Sequence, residues 1–463
     1  MAETHATSPK LVNHWLVKAH IVASLIFFFV GLVTGLLFSL QFVREYIGAG
    51  VELLSPGRVR MVHTNMLAYG FIANAFFGAL YWIVPRLTGI PVFSEKLSKL
   101  LFWVWQLVLL LTFVGLMTGF AQGVEWGETP IFVDPLVVVG VVLMAINFYV
   151  PIIKTKEKAL YVSLWYFSVA FVWTGLNYIM GNYLPQWFVP GAAGAAITGL
   201  FIHDLVGLFV TPLGWGMMYY FVPVILKKPI WSHALSLVGF WSLAFFYPLN
   251  GVHHYLWSPI PMYLQYGAVT STVAVEIVVS TVIVNFFMTL KGNGDILRTS
   301  IPMRWFYVGM VFYFTTCVQC AFHVFLTVQE IIHFTDWVVG HAHLVMFGVF
   351  GFWILGMMTE LWPKLVKREW YSTKLNEYHF WLTTIGMAVM FVDLMAAGLV
   401  QGYLWRSLAP WEDSIIFSIP FWMIRIVSGI MIFIGQILFV YNLWRTAKGP
   451  AVAYAPELQP SAA

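Results

Sequence analysis

Apolar runs of about twenty or more residues recur along the whole chain, and each is long enough to cross the roughly 30 Å hydrocarbon core of a bilayer as an α-helix. Sixty per cent of the 463 residues are hydrophobic and ten per cent are charged, a balance that a soluble chain could not sustain at its surface. The sequence therefore predicts an all-α, polytopic membrane protein. Twelve transmembrane helices are predicted, at approximately 15–43, 59–88, 97–121, 131–153, 160–180, 196–225, 232–256, 263–290, 302–328, 335–364, 377–402 and 413–446.

The predicted spans follow one another without a linker, a low-complexity segment or a strong internal repeat. We therefore expect a single transmembrane domain over residues 15–446, flanked by short tails at residues 1–14 and 447–463. The N-terminal stretch MAETHATSPK lacks the basic segment and the small-residue cleavage site of a signal peptide. The first span is expected to remain in the mature protein.

Cationic residues gather in the loops that follow the even-numbered spans, whereas the opposite loops are acidic. The positive-inside rule places the cationic loops, and with them both termini, in the cytoplasm. The net charge of +4 follows from this topology and does not indicate nucleic-acid binding. The cationic residues of the predicted cytoplasmic loops are Arg86, Lys96, Lys99, Lys154, Lys156, Lys158, Lys227, Lys228, Lys291, Arg298, Arg304, Lys364, Lys367 and Arg368.

Six histidines on four predicted helices fall at one depth, in the outer third of the bilayer, once this topology is applied. Ionisable side chains at such depth are costly unless they are paired or bind a metal, so their coincidence indicates shared chemistry. Isolated histidines such as His323, His233 and His379 are expected to be ordinary hydrogen-bonded residues. The six are His63, His203, His253, His254, His341 and His343.

The spacing of these histidines divides them between cofactors. His341 and His343 are two positions apart, about 200° around a helix, so they point to opposite sides and cannot share one metal. Two hemes flanking this helix are the economical explanation. His253 and His254 differ by only about 100° and can turn toward one ion, with His203 as a third ligand. Three imidazoles suit copper and would also accept iron or zinc.

Five sequence motifs carry a resemblance to a known family: GRVRMVHTN, HDLVGLFVT, YPLNGVHHYLW, HFTDWVVGHAH and GLVQGYLW. They resemble the heme-copper oxidase superfamily, most closely catalytic subunit I of its C family, the cbb-type cytochrome c oxidases, with some features of nitric oxide reductases. The resemblance implies a low-spin heme b on His63 and His343 and a high-spin heme b on His341. It also implies a copper ion on the other three histidines, His203, His253 and His254.

The resemblance also implies a redox-active residue at Tyr247, the position of a tyrosine that the C family links covalently to the histidine at 203. Tyr247 and His254 are seven residues apart and are expected on one helix face, with Ser236 three turns below as a possible start of a proton path. Thr211 and Tyr219 match hydroxyl positions of the family. These hydroxyls are weaker candidates for the same path.

Gln319 is a departure from the family pattern, because the C family has a glutamate at this proton-entry position and an amide cannot exchange a proton near neutral pH. Glu276 is a second departure, reminiscent of the glutamates that nitric oxide reductases place near a non-heme iron. Cys317 and Cys320 are the only cysteines, and we expect them to be packing residues because a lone CxxC pair has no second pair with which to bind metal.

Residues in the predicted outer loops resemble those that surround heme propionates in the family, and an arginine there can pair with a carboxylate bidentately. Glu128 resembles a glutamate that binds a calcium ion between propionates. The residues assigned to the propionate region are Arg58, Arg60, His333, Asp336 and Trp337.

The function that the resemblance implies is reduction of dioxygen to water, coupled to proton uptake, in the bacterial cytoplasmic membrane. Membrane-anchored c-type cytochrome subunits would supply the electrons within a hetero-oligomeric complex. The alternative is a nitric oxide reductase that forms nitrous oxide at a heme and a non-heme iron; Gly207, where those enzymes have a glutamate, and Tyr247, which they lack, favour dioxygen. A membrane cytochrome b that only carries electrons is the third hypothesis.

Overall fold

The computed structural model describes residues 11–43 and 46–451, which form helices joined by short loops and contain no β-strand. Most of the two predicted tails lies outside these residues. Twelve long helices run through the bundle, matching the predicted number. They are α1 (His14–Phe42), α2 (Pro56–Thr88), α3 (Glu95–Thr118), α4 (Asp134–Lys154), α5 (Val162–Trp187), α6 (Gly191–Leu226), α7 (His233–Tyr255), α8 (Met262–Leu290), α9 (Ile301–His323), α10 (Asp336–Val366), α11 (Thr373–Arg406) and α12 (Trp411–Ala447).

Eleven of these described helices are both long and apolar enough to cross a membrane. The remaining one, α5, has 26 residues and is therefore also long enough, but its C-terminal part is more polar, with Asn177 and Asn182 buried against its neighbours. The helix α2 is the most enclosed by protein, and the cores of α6 and α10 are also buried, whereas α4 and α12 expose much of their apolar surface. The predicted all-α membrane fold is confirmed.

Three of the helices widen from α-helix to π-helix near their centres. Each π segment begins between one and three residues after a histidine of the predicted site. Their first residues are numbered 66, 205 and 344, so each lies 139 residues after the one before. π-Helical turns are rare and occur frequently at functional sites. The three segments are Met66–Ala73, Leu205–Val210 and Leu344–Gly351.

A second feature also occurs three times along the chain, at the N-termini of α3, α7 and α11. Each of these helices begins with a serine cap whose hydroxyl accepts a hydrogen bond from the third residue beyond it. The backbone N–H of each serine in turn donates to an asparagine on the following helix, at 3.0–3.1 Å. The expectation that the chain has no strong internal repeat is therefore wrong. The pairs are Ser94 with Asn147, Ser232 with Asn285, and Ser372 with Asn442.

The helix α7 departs from the predicted continuous α-helix over 232–256. Its α-helical part ends at Phe246, and two 3₁₀ turns, Tyr247–Leu249 and Gly251–Tyr255, complete it. Pro248 supplies no N–H for a helical hydrogen bond, which accounts for the break. The helix-face argument that placed Tyr247 and His254 on one stripe is therefore wrong, because it assumed α-helical geometry beyond Phe246. The expected position of Ser236 three turns below Tyr247 is unaffected, because α-helix joins the two residues.

We expect Asn285→Ala to destabilise the junction of α7 and α8. Asn285 pairs with both backbone groups of Ser232, accepting from its N–H at 3.0 Å and donating to its carbonyl at 2.8 Å. Leaving these buried groups unpaired costs about 1–3 kcal/mol each. Thermal unfolding of the purified protein should show a lower Tm. Ser280→Ala, at a lipid-facing position of the same helix, is the control, and equal Tm values for the two variants would contradict the prediction.

Candidate metal centre

The structure brings His203 from α6 together with His253 and His254 from the 3₁₀ turn of α7. One ligand nitrogen from each lies within 4.8 Å of the others, the arrangement that a single ion requires. His203 Nδ1 and His254 Nε2 are 3.1 Å apart, close to the separation of two ligands on one ion with metal–nitrogen bonds of about 2 Å. A side chain from α6 and two from α7 therefore form a three-imidazole cluster.

The tautomer of His253 is set by its neighbour on α8. Thr272 donates its hydroxyl proton to the carbonyl of Ala268 at 2.6 Å, so the same hydroxyl accepts the Nδ1–H of His253 at 2.8 Å. With its proton on Nδ1, the imidazole has a free lone pair on Nε2. A hydrogen bond of this kind orients a ligand histidine and makes it more basic.

Tyr247 stacks on His203, with ring centroids 4.6 Å apart and an interplanar angle of 12°. Its ring lies in a space that Gly207 leaves open, one helical turn beyond His203. A Cβ atom at position 207 would lie 1.6 Å from Tyr247 Cε1 and 2.0 Å from its Cζ. A side chain at 207 and the tyrosine ring are therefore mutually exclusive in this packing.

The second group pairs His63 of α2 with His343 of α10. Their rings are 6.2 Å apart between centroids and inclined by 30°. Each donates its Nδ1–H to a backbone carbonyl, His63 to Gly31 at 2.7 Å and His343 to Val339 at 2.8 Å, which leaves both Nε2 atoms available. The spacing leaves room between the two rings for one metal ion with bonds of about 2 Å.

Close packing of α1 against His63 depends on small residues. A Cβ atom at Gly35 would lie 2.6 Å from two atoms of the His63 ring. The helix α1 can approach the imidazole only because glycine stands there, and the same approach brings the Gly31 carbonyl into hydrogen-bonding distance.

His341 turns away from His343, as their spacing predicts. Its Nδ1 lies 2.9 Å from Gln319 Oε1 on α9, and its ring packs against that of His323 at 4.5 Å between centroids. His341 and the three-imidazole cluster line one cavity of about 390 Å³, within the size range of ligand pockets. The donor set and the cavity fit a heme held by His341 beside a metal held by the cluster.

Two cysteines and a glutamate also line the cavity wall. Cys317 and Cys320, expected to be packing residues, both line it, and Cys320 Sγ lies 3.8 Å from His341 Nε2. Glu276 also lines it, with a buried Oε1 that has no hydrogen-bond partner in the described chain. Because Glu276 follows Thr272 by one helical turn, the two face the same side of α8.

The residues proposed for a proton path lie on three helices, α6, α7 and α9. Thr211 lines the cavity, and Tyr219 lies further along α6, where its buried ring stacks on Tyr166. Ser236 is buried in α7 and donates to the carbonyl of His233. Gln319 is separate from them, since it contacts His341.

The two arginines predicted near heme propionates are engaged with acids of the chain itself. Arg58 contacts Glu52 at 2.7 Å, and Arg60 contacts Glu125 and Glu128 at 3.5 and 3.4 Å. These are partly exposed ion pairs of modest strength.

The other propionate candidates surround the N-terminus of α10. Asp336 accepts from Gln401 and Trp422, each at 2.7 Å, and Trp337 donates to His323 at 2.5 Å. His333 lines the cavity, with its Nδ1 2.7 Å from Gln329 Oε1. As expected, His323 and His379 are hydrogen-bonded residues, the latter through Gln436 Oε1 at 3.1 Å.

Glu128 is a buried acid in the loop between α3 and α4. It accepts from Asn65 at 2.8 Å and faces Arg60, and burial raises the pKa of its carboxyl. Among the described residues, the three-imidazole cluster is the only set of three or more histidine, cysteine or acidic side chains spaced for one ion. A calcium ion on Glu128 would therefore need oxygen ligands of another kind, such as backbone carbonyls.

Comparison with known proteins was made at the level of family, sequence and fold. The family model for cytochrome c and quinol oxidase polypeptide I matches residues 15–431. The cbb3-type cytochrome c oxidase subunit CcoN1 of Stutzerimonas stutzeri is 30% identical, over 94% of this chain and 95% of the relative. Cytochrome c oxidase subunit 1 of Rhodobacter capsulatus is also 30% identical, over 94% of this chain and 86% of the relative.

More distant similarities are to a nitric oxide reductase subunit and to a solved structure. A nitric oxide reductase subunit of Stutzerimonas stutzeri is 23% identical, over 96% of this chain and 98% of the relative. A cryo-EM structure of a heme-copper terminal oxidase dimer matches the fold with a TM-score of 0.77 at 16% identity, covering 96% of this chain and 86% of that one.

Thr272→Ala should weaken metal binding at the three-imidazole cluster without loss of the fold. The substitution removes the acceptor that fixes His253, and loss of such a partner typically costs about 10–100-fold in metal affinity. Metal content per protein after dialysis is the measurement. Thr270→Ala, on the exposed face of the same helix, is the matched control. Equal metal retention by the two variants would contradict the role given to Thr272.

Proposed function

The chain belongs to the family of cytochrome c and quinol oxidase polypeptide I and so is a heme-copper oxidase subunit, and from that premise we propose that it reduces dioxygen to water. The electrons come from membrane-anchored c-type cytochrome subunits of a hetero-oligomeric complex. The complex lies in the bacterial cytoplasmic membrane with both termini of this chain in the cytoplasm. The observation that carries the proposal is Tyr247, stacked on His203 in the space opened by Gly207.

The proposed cofactors follow the grouping of the histidines. His63 and His343 hold a low-spin heme b, His341 holds a high-spin heme b, and the three-imidazole cluster holds copper. When bound, these groups carry single electrons to the cavity and bind the gas there. The fit rests on four imidazoles with protonated Nδ1 atoms, and on the 6.2 Å spacing of the first pair.

Tyr247 has the chemistry and the position to complete the reaction. Breaking the O–O bond needs an additional electron and proton, and a phenol supplies both from one group. Tyr247 lines the cavity in contact with His203, so it donates within the same enclosed space in which the gas reacts. Its stacking on His203 also places it beside the histidine to which the C family links its tyrosine.

Gly207 distinguishes the reduction of dioxygen from that of nitric oxide. A glutamate at this position, as in nitric oxide reductases, would occupy the space of the Tyr247 ring. The presence of glycine at 207 together with tyrosine at 247 therefore favours the oxidase. Glu276 and the similarity to a nitric oxide reductase favour the second candidate, coupling of two nitric oxide molecules to nitrous oxide at a heme and a non-heme iron.

The third hypothesis, a cytochrome b that only carries electrons, gives no role to the three-imidazole cluster. A carrier needs bis-histidine hemes, for which His63 and His343 suffice. The cavity shared by the cluster and His341 is the feature of a site that binds a small substrate.

Proton delivery is assigned to the side of the cavity formed by α6 and α7. Ser236, Tyr219 and Thr211 lie along these helices, and all three side chains are buried. Buried polar groups of this kind are normally satisfied by ordered water, which would connect them.

We also assign Arg58, Arg60, His333, Asp336 and Trp337 to the propionate region, and Glu128 to a calcium site there.

Metal analysis of the purified complex tests the choice between the two gas reactions. We expect one copper per two b-type hemes in this chain, after the hemes of partner subunits are subtracted. A third iron without copper would assign the chain to nitric oxide reduction. A carbon monoxide difference spectrum without a high-spin ferrous heme would assign it to simple electron transfer.

Gly207→Ala should abolish oxygen turnover as completely as Tyr247→Phe, because the added methyl group displaces the tyrosine ring. Overpacking of this kind also costs about 1–3 kcal/mol of stability. Oxygen uptake and heme content are measured on the same preparations. Gly140→Ala, where a Cβ meets no atom within 4 Å, is the control. Full oxygen uptake by either test variant with intact heme would remove Tyr247 from the mechanism.

A further inference from the structure

A buried amide side chain, that of Gln319, contacts His341 at the edge of the cavity. Gln319 on α9 is buried, with 7% of its surface exposed, and its Oε1 lies 2.9 Å from Nδ1 of His341. Its Nε2 lies 3.2 Å from Sδ of Met395 on α11. Gln319 therefore connects α9, α10 and α11 at the histidine that the proposed function assigns to the high-spin heme.

The amide can serve His341 in only one orientation. With Oε1 toward the ring, it accepts the Nδ1–H and leaves Nε2 free to bind a metal. The reverse orientation would present an N–H donor to Nδ1 and move the ring proton to Nε2, the nitrogen needed for binding. Met395 Sδ accepts a weak hydrogen bond from Nε2 and so favours the productive orientation.

The acceptor is neutral, and its charge state cannot change. A carboxylate at the same place would accept the Nδ1–H in a charge-assisted hydrogen bond, which is roughly twice as strong, and would make the imidazole a more basic ligand. More basic ligands and nearby negative charge stabilise ferric over ferrous iron, and such hydrogen bonds are one of the means by which proteins set a heme potential.

His341 also differs in this respect from the histidines of the other pair. His63 and His343 donate to backbone carbonyls, which a substitution at the acceptor residue does not remove. His341 donates to a side chain, so its acceptor can be exchanged without moving the backbone.

We infer that Gln319 is a positioning residue that fixes the Nδ1-protonated form of His341 and keeps the reduction potential of the high-spin heme higher than a carboxylate at that place would allow. The inference rests on the proposed function, because it takes His341 as the ligand of that heme. It gives Gln319 a role as the hydrogen-bond partner of His341. The sequence alone indicated only that Gln319 stands at a position where the C family has a proton-entry glutamate.

Gln319→Glu in the intact complex tests the inference through a spectroscopic titration of both b hemes. We expect the midpoint potential of the high-spin heme to fall by an amount equivalent to about tenfold in its reduction equilibrium, or 59 mV for one electron. The potential of the low-spin heme should stay constant and serves as an internal reference. In resonance Raman spectra of the reduced protein, the iron–histidine stretching frequency should rise.

Gln319→Met provides the opposite change, because it removes the strong acceptor without adding charge. The iron–histidine stretching frequency should fall, and this variant keeps the inference testable if the glutamate variant does not assemble. Met395→Leu, which removes only the sulfur, is the matched control and should change both quantities less. Unchanged stretching frequency and potential in the Gln319 variants would overturn the inference, whereas a parent protein without a high-spin heme would overturn the proposed function.

Discussion

The site depends on one recurring interaction, the donation of an imidazole Nδ1–H to an acceptor supplied by the helix framework. His63 and His343 donate to backbone carbonyls, and His253 and His341 donate to the side chains of Thr272 and Gln319. In a low-dielectric interior a buried imidazole without partners is costly, and its proton can occupy either nitrogen. Each acceptor removes that ambiguity and leaves Nε2 for a metal.

The acceptors explain why so large a bundle is needed for so small a site. They lie on α1, α8, α9 and α10, whereas the histidines come from α2, α7 and α10. The glycines on α1 that allow its close approach are therefore as much a part of the His63–His343 pair as the imidazoles. The same holds for Gly207, whose missing side chain determines whether Tyr247 can reach His203.

An internal repeat places one histidine of each unit just before a π segment. The π segments of α2, α6 and α10 are spaced by 139 residues, and His63, His203 and His343 precede them at intervals of 140. A π segment has more residues per turn than an α-helix, so it rotates the part of the helix that follows it relative to the part before it. The units then diverge: the second gains the paired histidines of α7, and the third gains His341.

Much of this architecture could be predicted from the sequence, because membrane spans depend on length and hydrophobicity and because coincident histidines at one depth are rare. The number of helices and the separation of His341 from His343 follow from such patterns. The end of α7 could not be predicted by helical periodicity, although Pro248 gave a signal. The repeat was missed because it lies in spacing and backbone geometry more than in residue identity, and the contact of Gln319 with His341 joins two helices whose relative rotation the sequence does not specify.

The four hydrogen-bond acceptors of these imidazoles carry no charge. Backbone carbonyls, a threonine hydroxyl and a glutamine amide are all neutral, so none compensates the positive charge of a bound metal. In a low-dielectric cavity that charge must be balanced by acids that are not hydrogen-bonded to these four imidazoles. Glu276 lies on the cavity wall, and Asp336 lies at the N-terminus of α10, held by Gln401 and Trp422. Metals held by these histidines would therefore be easier to reduce than metals whose ligands were hydrogen-bonded to carboxylates.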